Sequence, residues 1–115
     1  MNPPELQDWD RAAAARAMAN DASAAKRLFD MLVEGLALAQ RELEQHLQGD
    51  DWEAMLALAH KLRGSSRLCC APTLEELAGR LEAAALSRQG EVMTPLLHEL
   101  AQQTQRLERI RLEQT

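Results

Sequence analysis

His60 stands in the stretch AHKLRGSSRLCC, positions 59–70, with Lys61 beside it, Arg63 three residues on, Gly64 four on and Arg67 seven on. Residues of these types at these spacings suit the addition of a negatively charged group to an imidazole. A histidine side chain titrates around neutrality, so at cellular pH much of an exposed histidine population is neutral and nucleophilic, and neighbouring guanidinium groups stabilise negative charge placed on the ring. Lys61, Arg63 and Arg67 put three cations within eight residues, with no acidic residue before Glu75, in a chain that is otherwise acidic. An anion is the natural ligand of such a segment. Gly64 costs about 1 kcal/mol relative to alanine in a helix interior, and the close approach of a second molecule would offset that cost. Phosphoryl transfer to the ring fits each of these features.

The helix that carries His60 must turn it outward. At about 100° per residue, Met55, Leu58, Leu62, Ser66 and Cys69 fall together as the buried face, with Ala59 and Ser65 at its margins. His60 falls opposite, alongside Leu56, Arg63, Gly64 and Arg67, and is expected on the solvent side.

The remaining elements follow from periodicity and caps. MNPPELQ, residues 1–7, is expected to fray, and DWDRAAAARAMAN has the composition of a short helix lying across one end of the molecule. Asn20 or Asp21 then caps a long amphipathic helix over 22–48, in which Leu28, Leu32, Gly35, Leu36, Ala39, Leu43 and Leu47 recur at helical spacing. Gly49 breaks it, and Asp50 with Glu53 reads as the capping box of the His60 helix, which runs to Leu68 or Cys69 because Pro72 cannot continue it. Thr73 and Glu76 read as cap partners of a fourth helix stopped by Gly90, and Thr94 and Pro95 as the start of a fifth that could begin a turn earlier. Its stripe is Leu96, Leu97, Leu100, Leu107 and Ile110.

Each long helix has one apolar stripe and no sheet to bury it against, so the predicted fold is all-α, an antiparallel up-down four-helix bundle with a short additional N-terminal helix. A single domain over 1–115 suits the length, and 46% hydrophobic residues suffice for one core. The excess of 18 acidic over 13 basic residues disfavours nucleic acid as a partner. No apolar run reaches the roughly 20 residues of a membrane span, so direct membrane insertion is not expected. Two adjacent cysteines, Cys69 and Cys70, cannot frame a disulfide-stapled fold and supply too few ligands for zinc, so they read as buried or half-buried thiols in a cytoplasmic setting, with no metal and no cofactor in the chain. His46 and His98 lack comparable surroundings and read as ordinary surface positions, while Trp9 and Trp52 are expected to pack over the bundle ends.

The segment AHKLRGSSRLCCAPTLEELAGRLE resembles the signature of histidine phosphotransfer (HPt) domains, with His60, Leu62, Arg63, Gly64 and Ser65 at the matching spacings and Ala71, Leu74, Leu77, Leu81 and Glu82 continuing it. DWDRAAA and the long helix after it resemble the C-terminal HPt modules of BarA/GacS-type hybrid sensor kinases. One departure is Cys70, where the family often has glycine. The resemblance implies a phosphorelay intermediate in two-component signalling that takes a phosphoryl group from a receiver-domain aspartate onto His60 and passes it to another receiver aspartate. It implies no ATP site, and Mg²⁺ supplied by the receiver. Arg63 and Lys61 would then give electrostatic support, and Leu56, Gly64 and Arg67 would contact the response-regulator receiver domain. A cytoplasmic monomer is expected, and the resemblance is compatible with its excision from an inner-membrane hybrid sensor kinase. The competing reading is a helical adaptor that binds a partner through Leu56, His60 and Arg63 without covalent chemistry. A metal-binding bundle ranks third, because the histidines do not pair at i, i+4 spacing.

Overall fold

A computed structural model describes residues 6–113, and the part of the expected N-terminal fraying that concerns residues 1–5 lies outside the described residues. Five helices follow in order: α1 (Arg11–Ala17), α2 (Ala22–Gln48), α3 (Trp52–Leu68), α4 (Pro72–Leu86) and α5 (Gly90–Glu113). Connections of three residues force each long helix back along its predecessor, and α2, α3, α4 and α5 close into a ring in which each packs on the next and α5 returns to α2. This is the predicted four-helix bundle, and α1 packs on α2 beside it. Phe29, Leu36, Leu43, Met55, Leu74, Leu81, Met93, Leu100 and Leu107 are fully buried along its axis.

Carboxylates open three of the helices. Asp10, Asp21 and Asp51 each accept a hydrogen bond from the backbone N–H three residues on, at 3.0–3.2 Å, satisfying a donor the helix cannot. Asp51, not Asp50, therefore caps α3. Asp50 has φ 53° and serves the preceding helix, as Cys70 (φ 58°) and Arg88 (φ 54°) serve theirs. After each, the next N–H reaches back to a carbonyl of the last turn: Asp51 to His46 at 2.8 Å, Ala71 to Ser66 at 2.9 Å and Gln89 to Ala84 at 3.0 Å. No described glycine has positive φ, so the left-handed positions that end these helices are filled by side-chain-bearing residues. That is why the expected stop at Gly90 is displaced, Gly90 beginning α5, whereas the break at Gly49 falls where expected, with Gly49 as the C-cap of α2 at φ −90°. Thr94 and Pro95 consequently lie inside α5.

A second correction concerns the start of α4. Ala71 is its N-cap with no side-chain bond, and Pro72, which has no N–H to satisfy, occupies the first turn. Thr73 turns instead to the N-terminal segment, donating its N–H to the Gln7 carbonyl at 3.1 Å and its hydroxyl to the same oxygen at 2.8 Å. Leu6 and Gln7, expected to fray, are thus held against α4. The segment is pinned further by Asp10 N–H to the Cys70 carbonyl at 2.8 Å and by Trp9, which stacks on Phe29 with ring centroids 4.1 Å apart and donates its indole N–H to Cys69.

A left-handed conformation costs an L-residue about 1 kcal/mol that glycine escapes. Cys70→Gly is therefore expected to raise stability by about 1 kcal/mol, seen as a higher denaturant midpoint at unchanged slope. Cys69 is buried, and burial, with the Cys70 thiol beside it, pushes its thiol pKa up, so it stays protonated and donates to the Leu28 carbonyl at 3.6 Å.

Candidate functional site

The buried face of α3 consists of Met55, Ala59, Leu62 and Ser66, with Cys69 buried at the C-cap. Ala59 lies in the core and Leu58 at the margin, the reverse of their expected places. The helix is rotated toward α4, its most extensive neighbour, whose Ala78, Ala84 and Ala85 permit close packing. Ser66 satisfies its buried hydroxyl on the Leu62 carbonyl at 2.7 Å. This rotation leaves His60 outside, its side chain 69% exposed.

His60 is not alone there. Its Nδ1 lies 2.6 Å from Glu82 Oε2, and Arg63 Nη1 lies 3.1 Å from Glu82 Oε1, so one carboxylate of α4 engages both α3 side chains with separate oxygens. Seven residues further along α3, Arg67 Nε meets Glu75 Oε2 at 2.9 Å. Gly79 lies beneath the Arg63 stem, where a β-carbon would sit 3.7 Å from Arg63 Cδ. The cationic segment of the sequence is therefore not an open cationic patch in the fold: α4 supplies carboxylates to Arg63 and Arg67. Of the three cations, Lys61 alone has no carboxylate partner among the described residues, and it points toward the α2 side of α3, away from Glu82.

An anionic oxygen at hydrogen-bond distance from Nδ1 selects the tautomer. The neutral ring donates its Nδ1–H to Glu82, which leaves Nε2 with its lone pair. A ring held this way is oriented as a nucleophile before any partner arrives. Leu56 is half-buried and, with Glu53, Ala57, His60 and Glu82, lines a shallow depression of about 370 Å³. Gly64 is exposed one turn beyond His60, and a β-carbon there would meet nothing within 4 Å. The predicted residues thus separate: Leu56, His60 and Arg63 gather about Glu82, Arg67 is tied further along to Glu75, Gly64 is open, and Lys61 lies on the α2 flank.

Glu82 is the residue to which the sequence reading assigned no role. Its signal was present: an antiparallel helix pair folded about Ala71 places residues equidistant from that point opposite one another. His60 and Glu82 are each eleven residues away, Arg67 and Glu75 each four. His98 and His46 have no such partner among the described residues; His98 is exposed on α5 near Gln102, and His46 occupies the last turn of α2. No group of three or more His, Cys, Asp or Glu among the described residues is placed to hold a metal ion, and no described helix is long and apolar enough to cross a membrane.

The Hpt domain of an Hpt sensor hybrid histidine kinase from Shewanella has the same fold, with a TM-score of 0.76 over 96% of this chain and 98% of that one at 22% sequence identity. No curated protein matches by sequence. The model of the Hpt domain family matches residues 27–111, a span that takes in the outward histidine, its carboxylate partner, the whole of α3 and α4 and most of α2 and α5. The chain belongs to the Hpt, or histidine phosphotransfer, domain family.

Proposed function

We propose that this domain is a phosphoryl carrier between receiver domains, with His60 as the residue that takes and returns the group. The observation that carries the reading is the exposed His60 ring bonded through Nδ1 to Glu82 at 2.6 Å. Nε2 attacks the phosphorus of a receiver aspartyl phosphate in line; the P–N bond forms as the P–O bond breaks and the aspartate leaves as a carboxylate. No proton has to move, because the Nδ1–H already rests on Glu82, which also balances positive charge developing on the ring. Return of the group to a receiver aspartate runs the same steps backward. Mg²⁺ would be held by the receiver, and would supply charge neutralisation of the transferred group there.

In this reading Arg63 and Lys61 add electrostatic support, and Leu56, Gly64 and Arg67 border the docking face. The domain works as a monomer in the cytoplasm, alone or as part of a longer sensor, and contributes no ATP-dependent kinase step. Incubation with phosphorylated receivers and Mg²⁺ tests it: the carrier takes up an acid-labile, base-stable label, and a non-covalent adaptor stays unlabelled. Gly64→Gln is expected to slow transfer about tenfold or more without loss of helicity, since glutamine is the better helix former and its β-carbon would meet nothing within 4 Å. Stopped-flow transfer rates beside circular dichroism check this; a wild-type rate would remove Gly64 from the docking face.

A further inference from the structure

Arg63 pairs out of step with the next arginine on its helix. Arg67 and Glu75 stand four residues either side of Ala71, the turn between α3 and α4, and they pair directly at 2.9 Å. Arg63 stands eight residues before that point, and the residue eight after it is Gly79. With no side chain opposite, the Arg63 stem crosses α4, and its Nη1 reaches Glu82 Oε1 at 3.1 Å, three residues beyond and at the level of His60. A helical side chain leans toward its own N-terminus, which carries Arg63 the same way. The stem lies against the neighbouring helix: the Arg63 side chain is 39% exposed, where that of Arg67 is 71%.

The backbone of α4 does not call for glycine at position 79. Its φ is not positive, and glycine is unfavourable in the middle of a helix. Among the described residues outside its own helix, a β-carbon there would meet only Arg63 Cδ within 4 Å, at 3.7 Å. That is ordinary contact, so alanine fits, whereas a longer side chain and the Arg63 stem compete for one space. What the stem secures is Glu82. This carboxylate gives Oε2 to His60 Nδ1 at 2.6 Å and Oε1 to Arg63. The last torsion of a glutamate side chain is soft, so a carboxylate held at one oxygen turns, and one held at both is fixed in plane. A guanidinium already paired in this way offers an incoming anion little net charge.

We infer that Gly79 is a positioning residue: by leaving α4 bare opposite Arg63 it seats the Arg63 stem, and Arg63 acts on transfer through Glu82, fixing the carboxylate that holds the His60 ring, without touching the phosphoryl group. This inference rests on the carrier reading and assigns the electrostatic support of Arg63 to the ring's partner. The chain of contact runs from Gly79 to Arg63, from Arg63 to Glu82 and from Glu82 to Nδ1, and it ends on the tautomer that leaves Nε2 free to attack.

Two measurements test it: kcat and KM for transfer from the phosphorylated receiver that labels the wild-type protein, and ring ¹⁵N shifts, which need no receiver. Gly79→Leu is expected to lower kcat about threefold or more at little changed KM and to move the His60 ring toward the Nε2–H form, while Gly79→Ala, which adds only the β-carbon, retains most of the rate. Arg63→Ala should lower kcat about as much as Gly79→Leu does, but by little more once Glu82→Ala is present, because a residue that acts through Glu82 then has nothing to act on. Circular dichroism and the denaturant midpoint verify the fold. If Arg63→Ala lowers kcat by the same factor with and without Glu82, the guanidinium works on the phosphoryl group directly and the inference is overturned. Wild-type ring shifts in both Gly79→Leu and Arg63→Ala overturn it whether or not any receiver labels the protein. A wild-type protein that no receiver labels, with the shifts moved as expected, removes the carrier reading and leaves the seating of the ring by Gly79 and Arg63 standing.

Discussion

A His60→Gln protein is expected to take up no acid-labile phosphate from any receiver, under conditions in which the wild-type protein is labelled within the time of mixing. The loss is total because glutamine has no nitrogen lone pair free to attack phosphorus, and neither other histidine has a carboxylate at its ring nitrogen among the described residues. The fold should survive. His60 is 69% exposed, glutamine suits a helix interior at least as well, and Glu82 keeps Arg63 as a partner. Helicity and the denaturant midpoint are expected to match the wild type, so absence of label reads chemistry alone. Labelled His60→Gln protein would sink the assignment and send the search to His98 or His46.

The second large effect belongs to Glu82→Ala. Removing the carboxylate frees the ring to rotate and to place its proton on Nε2, the nitrogen that must attack, and it withdraws the anion that balances the ring as the P–N bond forms. Loss of the orienting partner of a metal-bound histidine costs about 10- to 100-fold, and a drop of that order is expected here in kcat for transfer, with little change in KM for the receiver. Glu82→Gln should fall between, because an amide oxygen can accept the Nδ1–H without supplying charge. Ring ¹⁵N shifts distinguish this role from a structural one: the wild type should show the Nδ1–H form, and Glu82→Ala a shift toward Nε2–H. His60 is exposed and Arg63 half-buried, so solvent screens both bonds and the stability cost is expected at about 1 kcal/mol or less. Wild-type kcat in Glu82→Ala would reduce the carboxylate to a surface ion pair.

Much of this domain was readable without coordinates, because helix periodicity is local. Leucine and alanine spacing placed α2 at its observed bounds, gave α3 its end and set the number of helices, and the sense of α3 placed His60 outside. What failed locally failed at helix ends. Asp50, Cys70 and Arg88 adopt the left-handed conformation usually left to glycine, and sequence spacing does not distinguish a residue that ends one helix from one that caps the next. Thr73 had the composition of a cap and became a clasp on Gln7, which only a folded N-terminal segment could offer.

The sequence by itself determined that one imidazole would stand outward on a rigid all-helical frame, with glycine beside it, because both facts depend only on the 3.6-residue turn. Tertiary structure alone decided the electrostatics around that ring. The run of cations on α3 has no nearby acid along the chain, yet folding about Ala71 brings Glu82 and Glu75 alongside, pairs two of the three cations and leaves Lys61 facing α2. Charges interact through space, and Coulomb energy follows distance between atoms, not separation along the backbone.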